Sequence, residues 1–181
     1  MRTTIRRAAA AVAAALALGT GSAVVVASSA SAAPSALLPV CTAGNLAVWV
    51  NADAGSGAAG TFYYPLEFTN TSNHTCRTWG WPGVSATNIS GHQLGDAAGR
   101  LSNYKPKWVN IPAHGTAHAL FAYGNAEVQT SGCKPTNASL IKVYAPNQRS
   151  ADYGFFSLPA CTVGGKHVYL RVSAIAPGTN I

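Results

Sequence analysis

The chain has 181 residues, and its twelve basic side chains outnumber its five acidic ones, with only 9% of residues charged. No run of like charge stands out, which argues against a basic tail or patch made for nucleic acid or an anionic membrane. The high apparent isoelectric point overstates the case for such partners, because three of the arginines lie in an N-terminal segment expected to be removed.

That segment is Met1 to Ala32. Arg2, Arg6 and Arg7 form a positive start, Ala8 to Val26 is uncharged and alanine-rich, and Ala30-Ser31-Ala32 is a small-x-small cleavage signal. We read residues 1–32 as a secretory signal peptide cut between Ala32 and Ala33. Arg6-Arg7 hints at twin-arginine export, but the residues around the pair match that motif poorly. Leu38-Pro39-Val40 before Cys41 does not suit lipidation. Cleavage would leave no stable membrane span and lower the formal charge from +7 to +4. Residues 33–40 read as a loose leader, and 41–181 as a single domain long enough for a sizeable core.

The expected domain has a period of two almost throughout. Asn45 to Val50 is a candidate strand, followed by a glycine-rich turn at Asp53 to Gly60. Phe62, Tyr64, Leu66 and Phe68 alternate with Tyr63, Pro65, Glu67 and Thr69. Pro65 lacks a ladder donor, so this strand is expected at a sheet edge or with a bulge. Weaker strands fall at 84–90, 108–112, 139–144 and 153–158. Ala117, Ala119, Phe121 and Tyr123 mark another. Val168, Leu170, Val172 and Ala174 give the cleanest half-buried pattern. No segment carries a helical stripe. About eight short strands separated by turn signals predict an all-β, antiparallel β-sandwich.

Four cysteines in an exported chain predict two disulfides. Antiparallel hairpins would bring Cys41 to Cys76 and Cys133 to Cys161. Each bridge closes roughly 30 residues and is worth about 3.5 kcal/mol on the chain-entropy model. No two cysteines are close enough for a zinc knuckle.

Cys76 opens the densest stretch, Cys76-Arg77-Thr78-Trp79-Gly80-Trp81-Pro82-Gly83-Val84. In an extended chain Trp79 and Trp81 would face the same way. We read them as packing at a fixed corner; the competing reading is an exposed aromatic platform for a sugar ring or a peptide. Lys105-Pro106-Lys107-Trp108 is the one place where bases and an aromatic residue meet in sequence, and reads as a solvated loop.

Several elements together resemble a known family: Cys41-Thr42, Glu67-Phe68-Thr69-Asn70-Thr71-Ser72, Gly80-Trp81-Pro82-Gly83-Val84, Gly91-His92-Gln93-Leu94-Gly95 and Ile111-Pro112-Ala113-His114-Gly115-Thr116-Ala117, closed by Cys133 and Cys161. The chain is similar to the secreted actinobacterial family known as domain of unknown function 4232. The resemblance implies an immunoglobulin-like sandwich, and an exported and often envelope-associated protein. It supplies no activity and no catalytic residue.

Catalysis has no sequence signature here. Asp53, Glu67, Asp96, Glu127 and Asp152 lie in separate segments, and there is no nucleophile elbow. His114 and His118 run from a turn into a strand and stand too far apart to share a metal. We therefore expect no catalytic residue, no cofactor and no metal. The expected function is that of a secreted, non-catalytic extracellular or cell-envelope module, with an envelope protein or a polysaccharide as partner. Trp49, Trp79, Trp81, Tyr104 and Trp108 are candidate aromatics, and 53–60, 98–106 and 123–132 candidate loops. The alternative is a secreted carbohydrate-active hydrolase, or a carbohydrate-binding module using exposed tryptophans.

Overall fold

A computed structural model describes residues 37–125, 132–162 and 169–179. The expected signal peptide with its Ala32–Ala33 cleavage point, residues 33–36 of the leader, Glu127 and residues 163–168 lie outside the described residues. Also outside is most of the 123–132 loop. No helix among the described residues is long and apolar enough to cross a membrane.

The described chain is almost entirely antiparallel β. The larger sheet is built on β3 (Thr61–Asn70) and β8 (Thr116–Gly124), which pair without a break from Thr61↔Gly124 to Thr69↔Thr116. Beyond β3 lie β1 (Leu46–Val50) and β2 (Ser56–Ala58). Beyond β8 lies β11 (Leu170–Val172), with β6 (Gly99–Arg100) joined to it in parallel, and β12 (Ala176–Pro177) pairs further along β8. The second sheet runs β10 (Ala151–Cys161), β9 (Pro135–Tyr144), β5 (Gly83–Thr87). A third, two-stranded sheet pairs β4 (Cys76–Thr78) with β7 (Val109–Ile111).

One core joins the two larger sheets. Leu66, Phe68, Ala119, Phe121, Leu170 and Val172 come from the first, and Val84, Ala86, Ile141, Val143 and Leu158 from the second. Aromatic edges close one side of it, where Phe156 meets both Tyr64 and Phe121 at steep ring angles. Burying these side chains supplies most of the driving force for folding.

The two disulfides join Cys41 to Cys76 and Cys133 to Cys161, as the hairpin argument expects. Leu46 opposes Asn70 across β1 and β3, so the segments just outside them meet at the same end. Cys161 opposes Pro135 in the β9–β10 hairpin, which carries Cys133 alongside. Two bridges are compatible with an extracellular setting.

Four expectations need correction. Pro65 lies in an interior strand without a bulge, because β3 has partners on both sides. It is tolerated because β1 ends at this point: Asn51 donates to the Pro65 carbonyl and then enters a short 3-10 turn over Ala52–Ala54. The strand expected up to Ala174 stops at Val172. Val172 opposes Phe121 and Ala176 opposes His118, so four steps on one side match three on the other, a bulge. There the Ser173 hydroxyl accepts from Leu120 N–H in place of a carbonyl. The leader is not loose at its end, since Arg77 N–H donates to the Pro39 carbonyl and Val40 bridges to Arg77. Finally, β2, β6 and β12 span two or three residues, too few to show a period, and β4 lies inside the stretch read as a corner, where its alternation is only a few residues long.

Candidate functional site

The two-stranded sheet is a clean case of period two. Cys76, Thr78, Val109 and Ile111 point inward and are buried. The other face carries Arg77, with Asn110 opposite it. Extending that register by one step puts Trp79 opposite Trp108. Their ring centroids lie 6.4 Å apart, with planes tilted by 37°. The Arg77 guanidinium sits 4.3 Å over the Trp108 ring, a cation–π stack. Trp79 is 40% exposed and Trp108 55%.

Trp108 also forms one wall of a groove of about 610 Å³. Tyr104, Lys105 and Lys107 also line it, together with Ala174 to Pro177. The Lys105–Trp108 segment, expected to be a simple solvated loop, thus flanks a concave surface. Its volume lies within the roughly 300–1,000 Å³ of small-ligand sites. Among the described residues no acidic side chain lines it.

Trp79 and Trp81 do not act as a pair. Gly80 has φ of +112°, which turns the chain between them and breaks the extended geometry that would align the rings. The corner is pinned from both sides. Ile175 N–H donates to the Gly80 carbonyl, and Asn147 Nδ2 donates to the Trp79 carbonyl. Trp81 turns to a different partner: it is half-buried, with the Arg100 guanidinium 5.1 Å from its ring centroid. Its Nε1 is buried without a hydrogen-bond partner among the described residues. Trp81 is therefore corner packing, while Trp79 joins Trp108. The signal for this was present as two short alternations, Cys76-Arg77-Thr78-Trp79 and Trp108-Val109-Asn110-Ile111.

The other candidates lie elsewhere. Trp49 is exposed on β1, opposite Glu67. Glu67 is buried and accepts from Asn51 Nδ2. Asp53 sits in the exposed 3-10 turn, Asp96 between β5 and β6, and Asp152 on β10, where burial raises its carboxyl. His114 occupies an exposed turn with φ of +59°, whereas His118 is buried in β8 with Nδ1 2.9 Å from the Gly178 carbonyl oxygen. Among the described residues no three histidine, cysteine or acidic side chains gather as a metal site would need. Residues 53–60 fold over Tyr64 at the start of β3, away from Asn70 at its end.

A family model matches residues 41–176, from the first cysteine to the first residue of β12. The chain belongs to the family described as domain of unknown function (DUF4232). No curated protein and no solved structure matches the chain.

The elements that carry this resemblance are spent on turns. Asn70, wholly buried, is a hub. Its Nδ2 shares two N–H donors among the carbonyls of His74, Ile111 and Pro112, all within 3.1 Å, and its Oδ1 accepts from Ser72 N–H and Oγ. Gly115 closes the turn at Pro112, and a Cβ there would lie 2.9 Å from Pro112 Cδ. Asn88 Oδ1 accepts from Ser90 and His92 N–H, shaping the turn ahead of Leu94. Trp79, Tyr104, Lys105, Lys107 and Trp108 lie outside those elements.

Proposed function

We propose that this protein is an exported, non-catalytic binding module of the extracellular space or cell envelope, and that it binds through the outward face of the β4–β7 pair. The observation behind this reading is the Trp79–Trp108 pair. Two large apolar rings stand opposite each other in solvent, although burying them would stabilise the fold. Exposed apolar surface rimmed by polar groups marks interaction sites. The two disulfides support export. The non-catalytic part rests on the described acids, which are four in number and sit in four different segments.

A polysaccharide is the partner that suits these rings. The C–H face of a pyranose is weakly positive and meets the negative face of an indole. The 37° tilt makes a twisted platform, suited to a polymer whose successive rings are themselves twisted. The test is a fluorescence titration with polysaccharide from the producing cell's envelope. Trp79→Ala combined with Trp108→Ala should abolish binding while keeping the wild-type melting curve. Trp49→Ala, which removes an exposed indole on β1, in a different sheet, should leave binding intact. Equal binding by the double variant, or equal loss on Trp49→Ala, overturns the proposal.

A further inference from the structure

The groove beside Trp108 has a chemistry that the ring pair alone does not specify. Lys105 and Lys107 are both exposed and line it, and the Arg77 guanidinium stacks over the Trp108 ring. Two lysines thus share the groove with an indole that already carries a guanidinium, and among the described residues no acidic side chain lines it. The described acids are placed on β3, on β10, in the 52–54 turn and in the β5–β6 connection. Tyr104 is 41% exposed at the same groove, so ring surface continues past the lysines. Aromatic surface and fixed positive charge thus run together along one concave strip, in a chain where the other cations are scattered.

We infer that the ligand is an acidic glycan, a sugar polymer bearing carboxylate or phosphate groups, with its rings on Trp79 and Trp108 and its anions against Lys105 and Lys107. This rests on the binding-module reading above and adds the ligand's charge. Each lysine is a compact, flexible point charge able to meet either anion without a fixed geometry. Among the described residues neither lysine has an acidic partner in the groove to displace, so the ligand's charges meet cations not neutralised there. Exposed pairs of this kind are individually weak and sensitive to salt. Selectivity therefore requires the rings and the charges to act on the same molecule.

The experiment separates sugar from charge. The intact secreted protein is titrated with polygalacturonate, a phosphodiester-linked glycan, uncharged dextran, polyglutamate and single-stranded oligothymidylate. The expected result is binding of at least one acidic glycan, with dextran and polyglutamate each about tenfold weaker or worse. Lys105→Gln with Lys107→Gln should weaken acidic-glycan binding roughly three- to tenfold, flatten its salt dependence, and leave the melting curve unchanged. The relative response to the carboxylated and phosphorylated probes tells which anion is read. Equal binding of dextran and acidic glycan, lost in the Trp79/Trp108 double variant, overturns the charge inference and leaves the binding-module reading standing. Equal binding of polyglutamate, or tighter binding of the oligonucleotide, overturns the glycan assignment. If no probe binds, the inference is refuted, and the envelope-polysaccharide titration above decides the broader reading separately.

Discussion

Replacing Asn70 tests whether the family's Asn70-Thr71-Ser72 element is structural. Asn70→Ala strips the donor from three carbonyls, at 2.8 Å from His74, 3.1 Å from Ile111 and 3.0 Å from Pro112. The Ile111 bond is buried, and leaving that acceptor unsatisfied costs about 1–3 kcal/mol. The other two are partly buried and recover some hydration, at about 0.5–1 kcal/mol each. The total is about 3 kcal/mol, or a fall of about 10 °C in Tm for a domain of this size. Guanidinium unfolding with both disulfides intact measures it. Asn70→Asp sharpens the test. It keeps the acceptor for Ser72 but turns a carboxylate toward the three carbonyl oxygens, so its folded-state pKa should rise above the ordinary value of about 3.9. A raised folded pKa favours the fold below the unfolded pKa and loses that advantage as pH rises. Asn70→Asp should thus be worse than Asn70→Ala at about pH 7, and the gap should close toward about pH 4. A loss below about 1 kcal/mol for Asn70→Ala, or a pH-independent gap between the two variants, refutes the hub argument.

Three further outcomes follow from the packing. Gly55→Ala should destabilise by about 1–3 kcal/mol, because a Cβ there would overlap the Tyr64 ring, which is itself wedged against Tyr123 and Phe156; an unchanged denaturant midpoint would contradict it. Removing Cys133 and Cys161 together should cost about 3.5 kcal/mol by freeing a loop of 28 residues, measured as a lower guanidinium midpoint. Tyr123 is pushed up to about 12 from 10.0, first by burial and then by its hydrogen bond to Tyr64. It therefore stabilises the fold fully below about pH 10 and loses that contribution as pH rises toward its folded pKa. Burial also raises Tyr169, so phenolate absorbance should show late-titrating tyrosines, of which Tyr64→Phe should bring down the Tyr123 component and leave that of Tyr169.

Much of the fold was legible because it is local. Alternation over Phe62–Thr69 and Ala117–Tyr123 marks strands directly, since side chains of a pleated strand face opposite ways at every step. The disulfide pairs were legible because a hairpin returns the chain to its own starting end. The family could be recognised because its elements are turns, and turns such as those at Asn70 and Pro112–Gly115 depend on residues close in sequence. The placement of Pro65 was not legible. Whether a strand is an edge depends on where its neighbour stops, and β1 stops one residue short of the proline.

The candidate site belongs to the tertiary structure alone. Trp81, two residues from Trp79, is turned away by the positive φ of Gly80. Trp108, remote in the chain, is brought opposite Trp79 by the β4–β7 register. Sequence by itself determined a cross-linked β protein and its turns, because those follow from backbone sterics and short-range hydrogen bonds. Only the assembled sheets decided which indoles meet and which cations stand beside them, because that depends on pairing between distant strands.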